Sequence, residues 1–150
     1  MRKGRYSVTM KQLSVYVENK PGTLAEITGI LGENGIDMCA LSVADTERYG
    51  ILRLIVNNPQ KAEDALKAAG FKVSLTDVIA IAVSHKPGGL SGALKYVAQA
   101  GVTVEYMYAF VSPKADTAYV ILRVQDNEKA IAALQQGGIP IVCGEEVYGK

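Results

Sequence analysis

The chain has 150 residues, 49% of them hydrophobic and 21% charged, and a formal net charge of +1. This is a globular composition with no mark of disorder, and near-neutral charge gives no global field for nucleic acid or an anionic membrane. The basic start MRKGRYSVTMKQ lacks the apolar run of a signal peptide, and no apolar stretch reaches the roughly 18 residues of a membrane span, so the chain reads as a cytoplasmic protein without a membrane partner.

In chain order, Leu13, Val15 and Val17 alternate with polar neighbours and predict a strand, which Pro21-Gly22 interrupts. Leu24, Ile27 and Leu31 follow at helical spacing until Asn34-Gly35. Thr23 and Glu26 at the start of that helix form the T-x-x-E pattern of a capping box. Residues 37–44 and 50–56 predict two strands, joined as a hairpin by the polar run Asp45-Thr46-Glu47-Arg48. Pro59 opens a second helix with Ala62, Ala65, Leu66 and Ala69 on one face. Gly70 closes it before a short strand from Phe71.

The second half repeats this order: a strand over 78–84, a helix over 89–100, strands over 103–111 and 118–124, a helix over 127–136, and a last strand over 139–143. Punctuation repeats with it. Lys20-Pro21-Gly22 recurs as Lys86-Pro87-Gly88 and Gly35-Ile36 as Gly101-Val102, both displaced by 66 positions. Ile51-Leu52-Arg53-Leu54 recurs as Ile121-Leu122-Arg123-Val124 at 70, so the second copy has a longer middle connection. The chain is a duplication, with domains expected at 1–75 and 76–150. Each copy predicts an α+β, ferredoxin-like βαββαβ sandwich, two helices on one face of a four-stranded sheet. Units this small gain stability by pairing, and the runs 51–56 and 78–83, apolar on both faces, supply a surface for it.

The helix-entrance loops are the candidate site. Gly22 and Gly88 let a ligand approach the backbone, and the amides at a helix N-terminus favour a carboxylate or other anion. Gly89 and Gly92 stand where the first copy has Thr23 and Glu26, so the Gly88-Gly89-Leu90 entrance is expected to be the more open, capping competing with ligand in the first copy. Asp37 reads either as a turn residue after Gly35 or as the receptor of a ligand ammonium; its counterpart is the uncharged Thr103.

NKPGTLAEI followed by GIDM, and HKPGGLSGA followed by GVTV, resemble the signature of the ACT domain, and the resemblance covers nearly the whole chain. It implies a tandem ACT protein: a regulatory module that binds a small amino acid or related carboxylate between ACT units, works as a homodimer and answers to an amino-acid-metabolism enzyme or regulator. The ligand-binding residues it implies are Asn19, Pro21, Gly22, Thr23, Leu24, Asp37 and Met38, and in the second copy His85, Pro87, Gly88, Gly89, Leu90, Thr103 and Val104.

Catalytic parts are not apparent. His85 is the only histidine, and GGLSG has neither the G-x-S-x-G elbow nor a Walker ending. Cys39 and Cys143 lack metal-site spacing and read as reduced, buried thiols, so no cofactor or metal is expected. Two rivals stand beside the regulatory reading. A purely structural dimerisation module would explain the apolar sheet but not the repeated glycine loop. An RNA-recognition module shares the βαββαβ order, but it stacks bases on exposed rings where this chain has Ile51, Arg53 and Ile55, or Leu52 and Leu54. Tyr106, Tyr108 and Phe110 alternate on one strand face, which suits either packing or ligand stacking.

Overall fold

The computed structural model describes residues 8–45 and 48–147, and they form two compact units: residues 11–76, and residues from 77 onward together with 8–10. Thr46 and Glu47, the middle of the expected hairpin connection, lie outside the described residues.

In the first unit the order is β1 (Thr9–Glu18), α1 (Thr23–Glu33), β2 (Met38–Asp45), β3 (Tyr49–Val56), α2 (Pro59–Ala68) and the start of β4 (Lys72–Ser84). β3 pairs antiparallel with both β1 and β2, setting Val15 opposite Leu52 and Leu41 opposite Leu54. The strand order is β2-β3-β1-β4. Side chains two apart share a strand face, so Leu13, Val15 and Val17 join Leu52, Leu54 and Val56 in one layer. Ile27 and Leu31 of α1 and Ala62 and Leu66 of α2 close over that layer to form the core.

The second unit runs β4, α3 (Gly89–Gln99), β5 (Val104–Val111), β6 (Thr117–Val124), α4 (Asn127–Gln136) and α5 (Gly144–Val147), with strand order β4-β6-β5. Ile79, Ile81 and Val83 meet Val120, Leu122 and Val124 beneath Ala93, Val97, Ala130 and Leu134. In the runs expected to be apolar on both faces, Ile55, Val78 and Ala80 face away from the helices and are fully buried, as is Ile121 of β6, whereas Ile51, Arg53 and Ala82 are half-buried.

Two expected strands take other forms. The short strand from Phe71 and the strand over 78–84 are one uninterrupted element, β4, because nothing between Phe71 and Ser84 is a glycine or proline that would break it. The strand expected over 139–143 shrinks to a single bridge, Ile81 to Ile141, flanked by Ala82 N–H to Pro140 O (3.1 Å) and Val142 N–H to Ala80 O (2.8 Å). Pro140 has no N–H to extend the ladder, and Gly144 leads directly into the unanticipated α5.

Helix starts fall into two kinds. α2 and α4 carry side-chain caps, Asn58 accepting from Lys61 N–H at 3.2 Å and Asp126 from Lys129 N–H at 3.1 Å. α1 and α3 begin instead behind Gly22 (φ 90°) and Gly88 (φ 88°), with no side-chain cap. This left-handed conformation is open to glycine at little cost.

Gly89 answers to packing rather than to backbone torsion. A Cβ at Gly89 would fall on the Ser84 carbonyl oxygen, whereas one at Gly92 would meet nothing. Gly89→Ala should therefore destabilise the protein by about 1–3 kcal/mol through overpacking, and Gly92→Ala should stabilise it by about 0.5–1 kcal/mol through helix propensity; urea melts of the two variants check both signs.

Burial pushes the Cys39 thiol up from its ordinary value, with the Asp37 carboxylate adding to the effect. Cys143, expected to be buried, is exposed because it precedes α5 at the surface, and its thiol is raised by the partial desolvation that remains, with Glu146 reinforcing it by hydrogen bond and charge. The thiolate is the reactive form, so alkylation of both by iodoacetamide should still be accelerating as pH passes 9.0, the ordinary thiol value. Rates followed by mass spectrometry at stepped pH test this, and a plateau near neutrality contradicts it.

Candidate functional site

The left-handed glycine turns the chain from strand to helix in both copies. The first helical bonds are Glu26 N–H to Gly22 O (2.9 Å) and Gly92 N–H to Gly88 O (3.0 Å). Between them, the amides of Leu24 and Ala25, and of Leu90 and Ser91, have no hydrogen-bond partner among the described residues. Bare first-turn amides at the positive end of a helix are an anion receptor in waiting.

The capping box is absent. Gly22 occupies the N-cap, so Thr23 becomes the first helical residue, buried and making no capping bond, and its Oγ1 has no partner. A box needs the threonine one position earlier, where its hydroxyl would reach the third helical amide. Capping therefore does not compete with ligand in the first copy, and both helix mouths present equivalent amides.

The first-copy residues are placed as follows. Asn19 N–H donates to Arg48 O at 3.0 Å, and Pro21, Leu24 and Met38 are exposed. Asp37 is exposed and its backbone is held on both sides by Asn57, through Asp37 N–H to Asn57 Oδ1 (3.2 Å) and Asn57 N–H to Asp37 O (3.2 Å). Of the predicted residues only Thr23 lines the cavity of the first unit, about 230 Å³ bounded by Tyr16, Glu18, Lys20, Thr23, Glu26, Gly70 and Phe71.

In the second unit two neighbouring cavities share His85, Ala109 and Ala118. One, about 460 Å³, lies against Val83, Ser84, Lys86, Pro87, Leu90 and Val120; the other, about 440 Å³, against Phe110, Ser112, Lys114, Asp116 and Thr117. His85, Pro87 and Leu90 are thus brought together. Gly88, Gly89, Thr103 and Val104 do not line these cavities, and the Thr103 carbonyl is occupied by Gln125 N–H at 3.3 Å.

Sequence reasoning missed Ala109, Ser112, Lys114, Asp116 and Ala118, which the β5–β6 hairpin returns to His85. The available signal was the lengthened middle connection of the second copy. His85 N–H donates to Asp116 O at 2.9 Å, pinning that hairpin to the loop, and Asp116 itself turns at φ 57°, a conformation Asp tolerates better than most residues. His85, Lys86 and Lys114 thus share the site with one carboxylate, Asp116.

Neither cysteine lines these cavities. Among the described residues, no cluster of His, Cys, Asp and Glu could hold a metal, and no helix is long and apolar enough to cross a membrane. Tyr119, 2% exposed, stacks edge-on against Phe110 with centroids 5.4 Å apart, so the aromatic face of β5 and β6 is packed at that point.

The sequence matches the model of the ACT domain pair family over residues 8–146. It is 36% identical to a Bacteroides thetaiotaomicron protein of solved structure, which superposes with a TM-score of 0.89 over 95% of this chain and 98% of that one. The fold is also that of the regulatory subunit of aspartate kinase from Thermus thermophilus, 19% identical over 85% of this chain and 91% of that one, with a TM-score of 0.63. The Thermus flavus subunit, 17% identical over 88% and 94%, has the same score. No curated protein matches the chain in sequence. With a duplicated strand-helix-strand-strand-helix order, two glycine-capped helix mouths and a family match over nearly its whole length, the chain belongs to the ACT domain pair family.

Proposed function

We propose that this ACT domain pair is a non-catalytic regulatory module whose second unit binds a small amino acid or related carboxylate. The observation that carries the reading is the pair of cavities meeting at His85, beside the bare amides of Leu90 and Ser91. Those amides receive the carboxylate, with Lys86 and Lys114 adding positive charge. Asp116 receives the ammonium, the part sequence reasoning gave to Asp37, and Ala109, Ala118 and Val120 take the apolar portion. The first mouth, Asn19 to Leu24 with Asp37 and Met38, offers the same amides and is the secondary candidate.

Regulation requires something to listen, and we read that as an amino-acid-metabolism enzyme or regulator, the role that the names of the Thermus aspartate kinase subunits carry. A homodimer is supported by β2, an edge strand whose Leu41 and Val43 are 52% and 46% exposed; an apolar edge of this kind is a pairing surface.

A ligand bound only by the folded state stabilises it by about 2.7 kcal/mol at a hundredfold excess over Kd. For a chain of this size that is a rise of roughly 5–10 °C in Tm. A thermal-shift panel over the amino acids should find at least one such ligand, with Asp116→Asn weakening it about tenfold and Ala118→Phe abolishing it. A flat panel rejects the reading and leaves a structural dimerisation module. Separately, Leu41→Lys with Val43→Glu should shift the protein to monomer in light scattering without lowering its Tm.

A further inference from the structure

Between the two long helices of the second unit lies a cavity of about 350 Å³, lined by Tyr96, Gln99 and Ala100 from α3 and its end, and by Ala133 and Gln136 from α4. That volume is within the range of small-molecule sites. The cavity shares no lining residue with the two that meet at His85. Among the described residues, none that lines it is charged.

The Tyr96 ring is seated on backbone. A Cβ at Gly137 would stand 2.6 Å from each of Cδ2, Cε2 and Cζ of that ring, and a point equidistant from three ring atoms lies on the ring axis. The Gly137 backbone is therefore laid against one face of the ring. Gly137 does not line the cavity whereas Tyr96, 36% exposed, does, so the ring turns its uncovered side to the cavity. With φ −83° and ψ 1°, Gly137 has a torsion open to any residue, and what its missing side chain provides is room for the ring.

Comparison of the copies shows that the helix pair does not need this arrangement. Tyr96, Gln99 and Ala100 align with Ile30, Glu33 and Asn34, and, at the displacement that carries Gly70 onto Gly138, Gln136 and Gly137 align with Ala68 and Ala69. In the first unit Ile30 packs onto the core and the Asn34 side chain donates to the Ile30 carbonyl at 2.8 Å. The ring, its glycine seat and both carboxamides belong to the second copy alone.

We infer that this cavity binds the nucleobase of a free nucleoside or nucleotide, stacked on Tyr96 and held at its edge by the Gln99 and Gln136 carboxamides. Every base has a π-face that stacks on an aromatic ring, and an uncharged wall suits an uncharged ring system. A carboxamide sets a donor beside an acceptor, the pattern with which glutamine pairs to the N6 and N7 edge of adenine. Adenine is therefore the expected base. Ala100 and Ala133 reach no further than a methyl group and leave the space over the ring to the ligand.

The test is an NMR titration of the isotope-labelled full chain with adenosine, with AMP and, as a control, with ribose 5-phosphate. Saturable shifts confined to the amides of Tyr96, Gln99, Ala100, Ala133 and Gln136 are expected with adenosine. AMP bound no tighter than adenosine assigns a nucleoside, and AMP bound tighter assigns a nucleotide. Affinity should fall at least about tenfold in Tyr96→Leu, in Gly137→Ala and in Gln99→Ala/Gln136→Ala, and stay within about twofold in Tyr96→Phe. Both glutamines are exposed and alanine is the stronger helix former, so their double variant should melt at or above the parent temperature, which separates lost binding from lost fold. Asp116→Asn should leave the titration unchanged, so this site and the one beside His85 read out separately. No saturation by about 10 mM adenosine, the same shifts from ribose 5-phosphate, or affinity indifferent to the glutamine and Gly137 substitutions overturns the proposal.

Discussion

The constraint on which the rest depends is the left-handed glycine at the head of α1 and α3. A helix start leaves up to four amides without intrahelical partners, and this chain resolves that in two ways. Asn58 and Asp126 satisfy one such amide in α2 and α4, as a side-chain cap does at a gain of about 1 kcal/mol. Gly22 and Gly88 decline that gain in α1 and α3. The pattern follows the duplication, with capped and bare starts alternating along the chain in the same order in both copies. Bare amides are tolerable where the first turn is open to solvent, and they leave the positive helix pole free for an anion.

Much of this architecture was legible because it is written in period and punctuation. Leu13, Val15 and Val17 alternate, Leu24, Ile27 and Leu31 fall at helical spacing, and Pro-Gly breaks recur with them, so strands, helices and the repeat all emerge from local pattern. What failed was decided by a torsion angle or by tertiary partners. Thr-x-x-Glu is a capping box only if the threonine is the N-cap, and the φ of Gly22 moves it one residue into the helix. The segment over 139–143 has strand-like composition, but a strand also needs consecutive donors, and Pro140 lacks one. Ser112, Lys114 and Asp116 look like ordinary turn residues, and only the return of the β5–β6 hairpin to His85 makes them part of a wall. The reverse holds for Thr103, whose alignment with Asp37 was legible but whose position lies off that wall.

Comparing the two copies separates scaffold from chemistry, as an alignment of separate proteins would. Lys-Pro-Gly and the glycine after the second helix persist in both, and each of the closing glycines, Gly70 and Gly138, has positive φ, so their persistence is a backbone requirement. The side chains around them diverge. In the first unit the polar groups gather toward the end of α2 and the start of β4, with Thr23, Glu18 and Glu26 on one wall. In the second those positions are small, and the open volume lies instead between the helix mouth and β5–β6. One backbone thus lines two chemically different cavities from equivalent loops.

A ligand regulates only as far as it binds two arrangements of the protein unequally. The second unit has the geometry for that inequality, because its two cavity walls come from separate elements. One is the turn from β4 into α3, the other the hairpin of β5 and β6, and they are joined by the β4–β6 ladder, which ends with Ser84 opposite Thr117, and by His85 N–H to Asp116 O. On the proposed reading, a zwitterion would draw on the helix mouth and Asp116 at once, so its affinity would depend on the separation of the two walls. β5 is the edge strand of this unit, with Met107 41% exposed. Any change in hairpin position is therefore presented along an edge strand of the unit.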